Sequence, residues 1–198
     1  MKCDSRPGTV TSFFGFGDRP DWGKDAWNEI DMVEIVPSVA ENPFSTNIIS
    51  KNQTQDQAYV GGFQPGTEWY RYSIEWTPHY IAWFINDHEV RRIEDAEELA
   101  SLNKPQHLMM NFWTPTFDAW SHGFDPLSMP RYAIFDWIET YYWTGGNSFS
   151  LLWYDDFKTF DDTHWIKSDG KTFDNNSSTF YASQVYIQNE MLHIKMEP

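Results

Sequence analysis

In Ala26-Trp-Asn-Glu-Ile-Asp-Met-Val-Glu-Ile-Val36 polar and apolar residues alternate with period two. Side chains at i and i+2 share one face of a strand. Glu29 and Asp31 therefore project together, with Ile30 and Met32 behind them in a core. A regular strand would next place Val33 on the acid face and turn Glu34 away. Glu34 joins the other two acids only if one extra residue is accommodated at Met32-Val33, as a β-bulge accommodates it.

The same period runs outward in both directions. Val10 to Phe16, Phe44 to Ser50, Trp69 to Trp76, Tyr80 to Ile85 and Glu89 to Ile93 read as strands, and Asn86-Asp87-His88 reads as a hairpin turn. His107 to Trp113, Tyr132 to Tyr142, Phe149 to Trp153, Ser178 to Ile187 and Met191 to Met196 continue the series, with Asn189-Glu190 closing a last hairpin. Thr144-Gly-Gly-Asn-Ser148 has the composition of a flexible spacer. The one helical candidate is Asp95 to Leu102, with acids in its first turn and Asn103 and Pro105 beyond its end. About ten or eleven strands at short intervals imply an all-β, antiparallel sandwich or barrel.

At 198 residues the chain suits one domain. Aromatic residues make up 18% of it, which serves strands and a large core, and such rings also stack on the apolar faces of sugars. The formal net charge is −15. A field of that sign repels phosphate backbones and anionic membrane surfaces, so neither nucleic acid nor a membrane is an expected partner. A neutral polymer is indifferent to it. Cys3 is the single cysteine, so no intrachain disulfide forms. No apolar run approaches the ~18 residues of a membrane-spanning helix. No signal peptide is visible after Met1.

Glu29, Asp31 and Glu34 carry the chemistry of the central segment. Cleaving a glycosidic bond needs one carboxylic acid to protonate the leaving oxygen and one carboxylate to attack or to activate water. Crowded like charges raise one pKa, so that one group keeps its proton near neutrality. From spacing alone two other readings stay open: a regular edge strand with its acids in solvent, and a metal site built from the three acids.

Trp27-Asn-Glu-Ile-Asp-Met-Val-Glu34 resembles the signature of family 16 glycoside hydrolases, the laminarinases and lichenases. Pro7-Gly-Thr-Val-Thr-Ser-Phe-Phe14 is similar to the strand that precedes that signature. Trp69 to Asp87, with Ile74-Glu-Trp-Thr-Pro78, resembles the family's hairpin, and Leu108-Met-Met-Asn-Phe-Trp113 its substrate-lining strand. Leu152-Trp-Tyr-Asp-Asp-Phe-Lys-Thr-Phe-Asp-Asp-Thr-His-Trp165 looks like the family's usual N-terminal segment, here placed at the C-terminal end. That is the order of the circularly permuted lichenases of rumen bacteria. It divides one catalytic domain into a signature-bearing part (1–143), the spacer (144–148) and a displaced segment (149–198).

The resemblance implies a jelly-roll, concanavalin-like sandwich with a concave sugar cleft, acting on internal β-glycosidic bonds with retention. It implies a secreted monomer whose partner is a β-glucan, with no cofactor required. Glu29 is then the nucleophile, Glu34 the acid/base and Asp31 their helper. Phe14, Phe16, Trp27, Asn47, Asn111, Trp113 and Trp120 become substrate contacts. Phe14 and Trp27 fit a core equally well, and a neighbouring backbone would satisfy Asn47 and Asn111 as well as a sugar does. Asp136, in Phe135-Asp-Trp137, matches the side chain that contributes to a structural calcium in some members, and it also reads as a surface acid.

This chain departs from the family pattern in three places. Two residues separate Asp31 from Glu34, as in laminarinase-type members acting on β-1,3-glucan, whereas the order of the pieces points to β-1,3-1,4-glucan. Ser168-Asp-Gly-Lys171 stands where permuted lichenases carry a cleft tryptophan, a role Trp165 or Trp22 could take. A family strand that precedes the segment beginning here at Met1 is missing.

Overall fold

The structure is a computed structural model that describes residues 1–4, 6–17, 27–37, 43–50 and 54–198. Trp22 and Ala26 lie outside the described residues. In chain order the strands are β1 (Val10–Gly17), β2 (Asn28–Ile35), β3 (Phe44–Ser50), β4 (Thr54–Val60), β5 (Tyr72–Trp76), β6 (Ile81–Ile85) and β7 (His88–Ile93). A short helix α1 (Ala96–Ser101), capped by the Asp95 carboxylate on the Glu97 and Glu98 amides, leads to β8 (His107–Trp113). A four-residue helix α2 (Asp118–Ser121) precedes β9 (Arg131–Phe135), β10 (Ile138–Gly145), β11 (Ser148–Asp155), β12 (Val185–Gln188) and β13 (Met191–Met196).

The front layer is a five-stranded antiparallel sheet in the order β4-β3-β2-β1-β8. Two three-stranded sheets, β5-β6-β7 and β12-β13-β9, form the back. Ile30, Val33, Ile35, Phe44 and Ile48 of the front sheet pack against Ile81, Trp83, Ile85 and Ile93 of β6 and β7. Phe112 of β8 meets Ala133, Phe135, Leu192, Ile194 and Met196 of β9 and β13. Each such side chain, taken fully out of water, contributes about 1.5–3 kcal/mol. The result is the expected antiparallel sandwich with the jelly-roll layering, its front sheet apolar inside and polar outside.

Between the two back sheets runs the N-terminal segment. Lys2 exchanges backbone hydrogen bonds of 2.9 and 2.8 Å with Ile134. On its other side Tyr70 donates to Met1 O and Cys3 donates to Pro65 O. The Cys3 thiol is buried, which pushes its pKa up to about 12.

Asn86-Asp87 and Asn189-Glu190 are both tight hairpin turns, with positive φ at each of the four residues, the backbone that type I′ turns require. Elsewhere the structure corrects the sequence reading. Tyr132 to Tyr142 is two strands, because Asp136 and Trp137 are both exposed and break the alternation. β9 then pairs with β13, and β10 with β11. Thr144 to Ser148 is a hairpin turn and not a flexible spacer. Gly145 and Gly146, at φ 113° and 57°, reverse the chain, and the Trp143 indole ties the turn by donating to Gly146 O at 2.8 Å. Of Ser178 to Ile187 only the end is strand (Val185–Gln188), because Ser177 and Ser178 are drawn aside to Thr114. The polar run Thr54–Val60 carries no apolar alternation, yet it pairs continuously with β3 from Phe44↔Val60 to Ser50↔Thr54 as an edge strand.

A polar contact through the core ties β6 of the back to β2 of the front sheet. Trp83, fully buried on β6, donates its indole N–H to Asp31 O on β2 at 2.9 Å. Trp83→Phe removes that bond. Its unfolding free energy in urea is expected to drop by about 1–3 kcal/mol for the lost bond, with a further loss for the vacated volume. An unchanged transition midpoint would show that the contact contributes nothing.

Candidate active site

β2 is flanked by β1 and β3, and both registers skip at the same place. Phe16 faces Glu29 and Phe14 faces Asp31, but Phe13 faces Val33 and Ser12 faces Glu34. On the other side Asn47 faces Asp31 and Ser45 faces Glu34. Met32 has no partner in β1 and packs against the core. This is the bulge that the acid spacing called for. One unpaired residue resets the alternation and returns Glu34 to the face of Glu29 and Asp31. The core holds the bulge from behind: Trp83 takes Asp31 O, and Arg91, 5.0 Å over the Trp83 ring, donates to Thr46 O at 2.9 Å and Thr46 Oγ1 at 2.8 Å.

Directly paired residues share a face, so the registers fix what surrounds the acids. Around Glu29 stand Phe16 and, one strand further, His107. Around Asp31 stand Phe14, Met109, Asn47 and Gln57, and around Glu34 stand Ser12, Asn111, Ser45 and Tyr59. Trp27 donates its indole N–H to Glu29 Oε2 at 2.7 Å and meets Phe16 edge-on at 5.3 Å. Ser12 Oγ, Asn47 Oδ1 and Asn111 Oδ1 are buried on this face without a hydrogen-bond partner. Buried polar atoms are rarely left so, and three on one face suit a hydroxyl-rich ligand. A groove of about 1490 Å³ runs along β8, lined in part by Phe14, Phe16, Asn111, Phe173 and Trp165; the three acids are not among its lining residues.

The expected contacts thus divide into groups. Phe14, Phe16, Trp27, Asn47 and Asn111 are gathered around the acids. Trp113 and Trp120 lie beyond Glu34 in an aromatic cluster: Trp113 packs with Trp120 at 5.9 Å and Phe173 at 4.9 Å, and Phe117 stacks on Trp120 at 5.6 Å. Trp113 is only 8% exposed and packs with Val10 and Val36. Trp120 also donates to Tyr59 Oη at 3.0 Å. Trp165 is committed to Asp155 Oδ2 at 2.8 Å. Asp136 is exposed at the β9–β10 junction; burial lowers the Met1 ammonium pKa to about 6, and the Asp136 charge offsets this only in part. Among the described residues no group of three or more His, Cys, Asp or Glu side chains is disposed to hold a metal ion.

Sequence reading missed Ser12, Ser45, Gln57, Tyr59 and Trp83. Ser12 and Trp83 lie within stretches that carry the family resemblance but were given no role there, and Ser45, Gln57 and Tyr59 lie in none. Four are found only by pairing strands in register across the bulge, and the fifth only by packing the two layers.

All three acids bind protons more tightly than in water. Burial raises Glu29, opposed by the hydrogen bonds from Trp27 and with Asp31. Asp31 is raised well above the usual carboxylate range, by burial first and then by Glu34 and Glu29. Burial lifts Glu34 to about 7, against the pull of a hydrogen bond from Ser45 and with a push from Glu29. The indole N–H on Glu29 favours its anion, while Glu34 is protonated near neutral pH. Glycosidic cleavage requires one ionised and one protonated carboxyl, and these acids share a single face.

Residues 1–138 match the family model described as glycosyl hydrolases family 16. The chain belongs to that family. It is 30% identical over 204 aligned positions to a β-glucanase of Fibrobacter succinogenes, covering 97% of this chain and 57% of that protein. Among solved structures it is similar to a β-1,3-1,4-glucanase (lichenase) from a mouse hindgut metagenome, at 28% identity and TM-score 0.52, over 63% of this chain and 56% of that one. It is likewise similar to the laminarinase of Rhodothermus marinus, at 26% identity and TM-score 0.55, over 66% of this chain and 58% of that one. The chain therefore spans a little over half the length of these relatives.

Raised carboxyl pKa values leave a mark on stability. Between the ordinary value of 4.5 and the folded value of about 7, Glu34 is protonated in the folded chain and ionised in the unfolded one. Its contribution is complete below that window and is lost as pH rises through it. The thermal midpoint of the chain is expected to fall between about pH 5 and pH 7.5, and Glu34→Gln to flatten that fall. Equal slopes in the two proteins, by scanning fluorimetry, would show that Glu34 holds no such proton.

Proposed function

We propose that the chain is an endo-acting, retaining β-glucanase that cleaves β-1,3-1,4-glucan by double displacement. The observation that carries this is the bulge at Met32, which brings Glu34 onto the face of Glu29 and Asp31. Family membership supports the same reaction class. Glu29, ionised, attacks the anomeric carbon, while Glu34 gives its proton to the departing glycosidic oxygen. The bond to that oxygen breaks as the Glu29–sugar ester forms. Glu34, now a carboxylate, takes a proton from water, the water attacks the same carbon, and Glu29 leaves as the carboxylate. Asp31, between them, holds a proton and steadies Glu29 through the hydrogen bond the two share. Phe14, Phe16 and Trp27 offer ring faces and edges to the sugars, and Ser12, Asn47 and Asn111 take up hydroxyls.

A β-1,3-glucanase is the second reading, and the two residues between Asp31 and Glu34 favour it. The mixed-linkage reading draws instead on the order of the pieces. The match to the Fibrobacter succinogenes β-glucanase extends over 97% of the chain, whereas the family model ends at residue 138, which supports a permuted order for 139–198. The substrate is a neutral polymer too large to cross a bilayer, so the proposed place of action is outside the cell. No helix of the described residues is long and apolar enough to span a membrane. A cation at Asp136 would be structural, since that side chain stands on the β9–β10 junction and not on the acid face.

Purified protein incubated with barley mixed-linkage glucan is expected to release short oligosaccharides and reducing ends. Release from laminarin at equal or higher rate would transfer the assignment to β-1,3-glucan. Glu29→Gln and Glu34→Gln are each expected to lose at least about 10³-fold in kcat/KM with the fold intact. Near-normal turnover by either variant would sink the mechanism.

A further inference from the structure

We propose that Ser45 and Gln57 form a hydrogen-bond relay, Gln57 to Ser45 to Glu34, that positions the acid/base. The inference rests on the reading of Glu34 as the proton donor. Two serines flank Glu34, Ser12 from β1 and Ser45 from β3. Both are buried, and their commitments differ. Ser12 Oγ has no partner, so it is left for a ligand. Ser45 Oγ accepts a hydrogen bond of 3.0 Å from Gln57 Nε2, on the edge strand β4.

That acceptance decides where the Ser45 proton goes. A serine hydroxyl has one hydrogen to give. With an amide N–H directed at its oxygen, Ser45 is oriented as a donor, and Glu34 is the acceptor placed opposite it in register. Ser45 is fully buried, so its hydroxyl has no water to turn to. The relay thus holds one Glu34 oxygen in place and leaves the other for the glycosidic oxygen.

Such a device answers a specific problem. Glu34 must release its proton in the first step and stay ionised until water arrives. The titratable groups facing it are Glu29 and Asp31 on its own strand and Tyr59 on β4, with His107 on β8 at the far end of the face. None of these places a cation beside it. The oxygen-directed O–H of Ser45 supports the ionised form, opposing burial and the neighbouring acids. Gln57 acts one bond further out, through Ser45. Both are positioning residues. Neither belongs to the acid motif, and both come to Glu34 through strand pairing.

The test is the pH dependence of kcat/KM on barley glucan for the parent chain, Ser45→Ala, Ser45→Thr and Gln57→Leu. The basic limb reports the proton donor. Ser45→Ala is expected to move it up by about 0.5 pH unit or more, Ser45→Thr to restore it, and Gln57→Leu to move it the same way by less. A limb unmoved in Ser45→Ala, in a protein with the parent's near-ultraviolet dichroism, would overturn the relay. Should Ser45→Ala not fold, Gln57→Leu on the sheet edge carries the same test. A parent chain inactive on every glucan would overturn the glucanase reading instead. The relay is then read without turnover, by carbon-13 titration of the glutamate carboxyls, with Glu34→Gln identifying the resonance. An unshifted Glu34 signal in Ser45→Ala refutes it there too.

Discussion

A single backbone carbonyl governs the arrangement of this protein. The bulge at Met32 interrupts the ladder of β2, and Asp31 O is met from behind by the indole of Trp83. Loss of that buried bond would cost about 1–3 kcal/mol. Arg91 completes the support by lying over the same indole and bonding Thr46, which sits between the β3 partners of Asp31 and Glu34. The back sheet therefore does more than cover the front one. It holds the irregularity that makes the front face chemically useful.

Three acids on one buried face are costly to assemble. Burial and mutual repulsion press all three toward the protonated state. The fold answers with neutral donors placed one by one: the Trp27 indole on Glu29, Asn47 beside Asp31 and Ser45 beside Glu34. Neutral donors steady the charged forms without removing the repulsion that favours protonation. A lysine or arginine in the same place would hold the carboxylates ionised and abolish the proton donor. The −15 net charge of the chain is consistent with that choice but does not produce it, since the shifts arise within a few residues of Glu34.

The aromatic content of the chain divides by position along the cleft. Phe14, Phe16 and Trp27 are held at the acids by strand register and by the bond to Glu29. Trp113, Trp120, Phe117 and Phe173 pack on one another beyond Glu34. The first group is placed by backbone pairing and the second by ring contacts across a loop and a four-residue helix. A sugar chain lying on this face would meet a floor set by the sheet and an end wall set by side-chain packing.

The amino-acid sequence by itself determined the sandwich, because period-two alternation and turn residues are local signals: Asn86-Asp87 and Asn189-Glu190 turn as their residue types require. It also showed that E-x-D-x-x-E faces one way only through a bulge, while leaving a regular strand open. It misread Thr144 to Ser148, where glycine composition signifies a turn as readily as a spacer, and it passed over Thr54–Val60, an edge strand held by pairing and not by an apolar face. Only the tertiary structure decided which side chains surround the acids. Ser12, Ser45, Gln57 and Trp83 reach them across strand registers or through the core, and such contacts join residues on different strands that leave no local pattern.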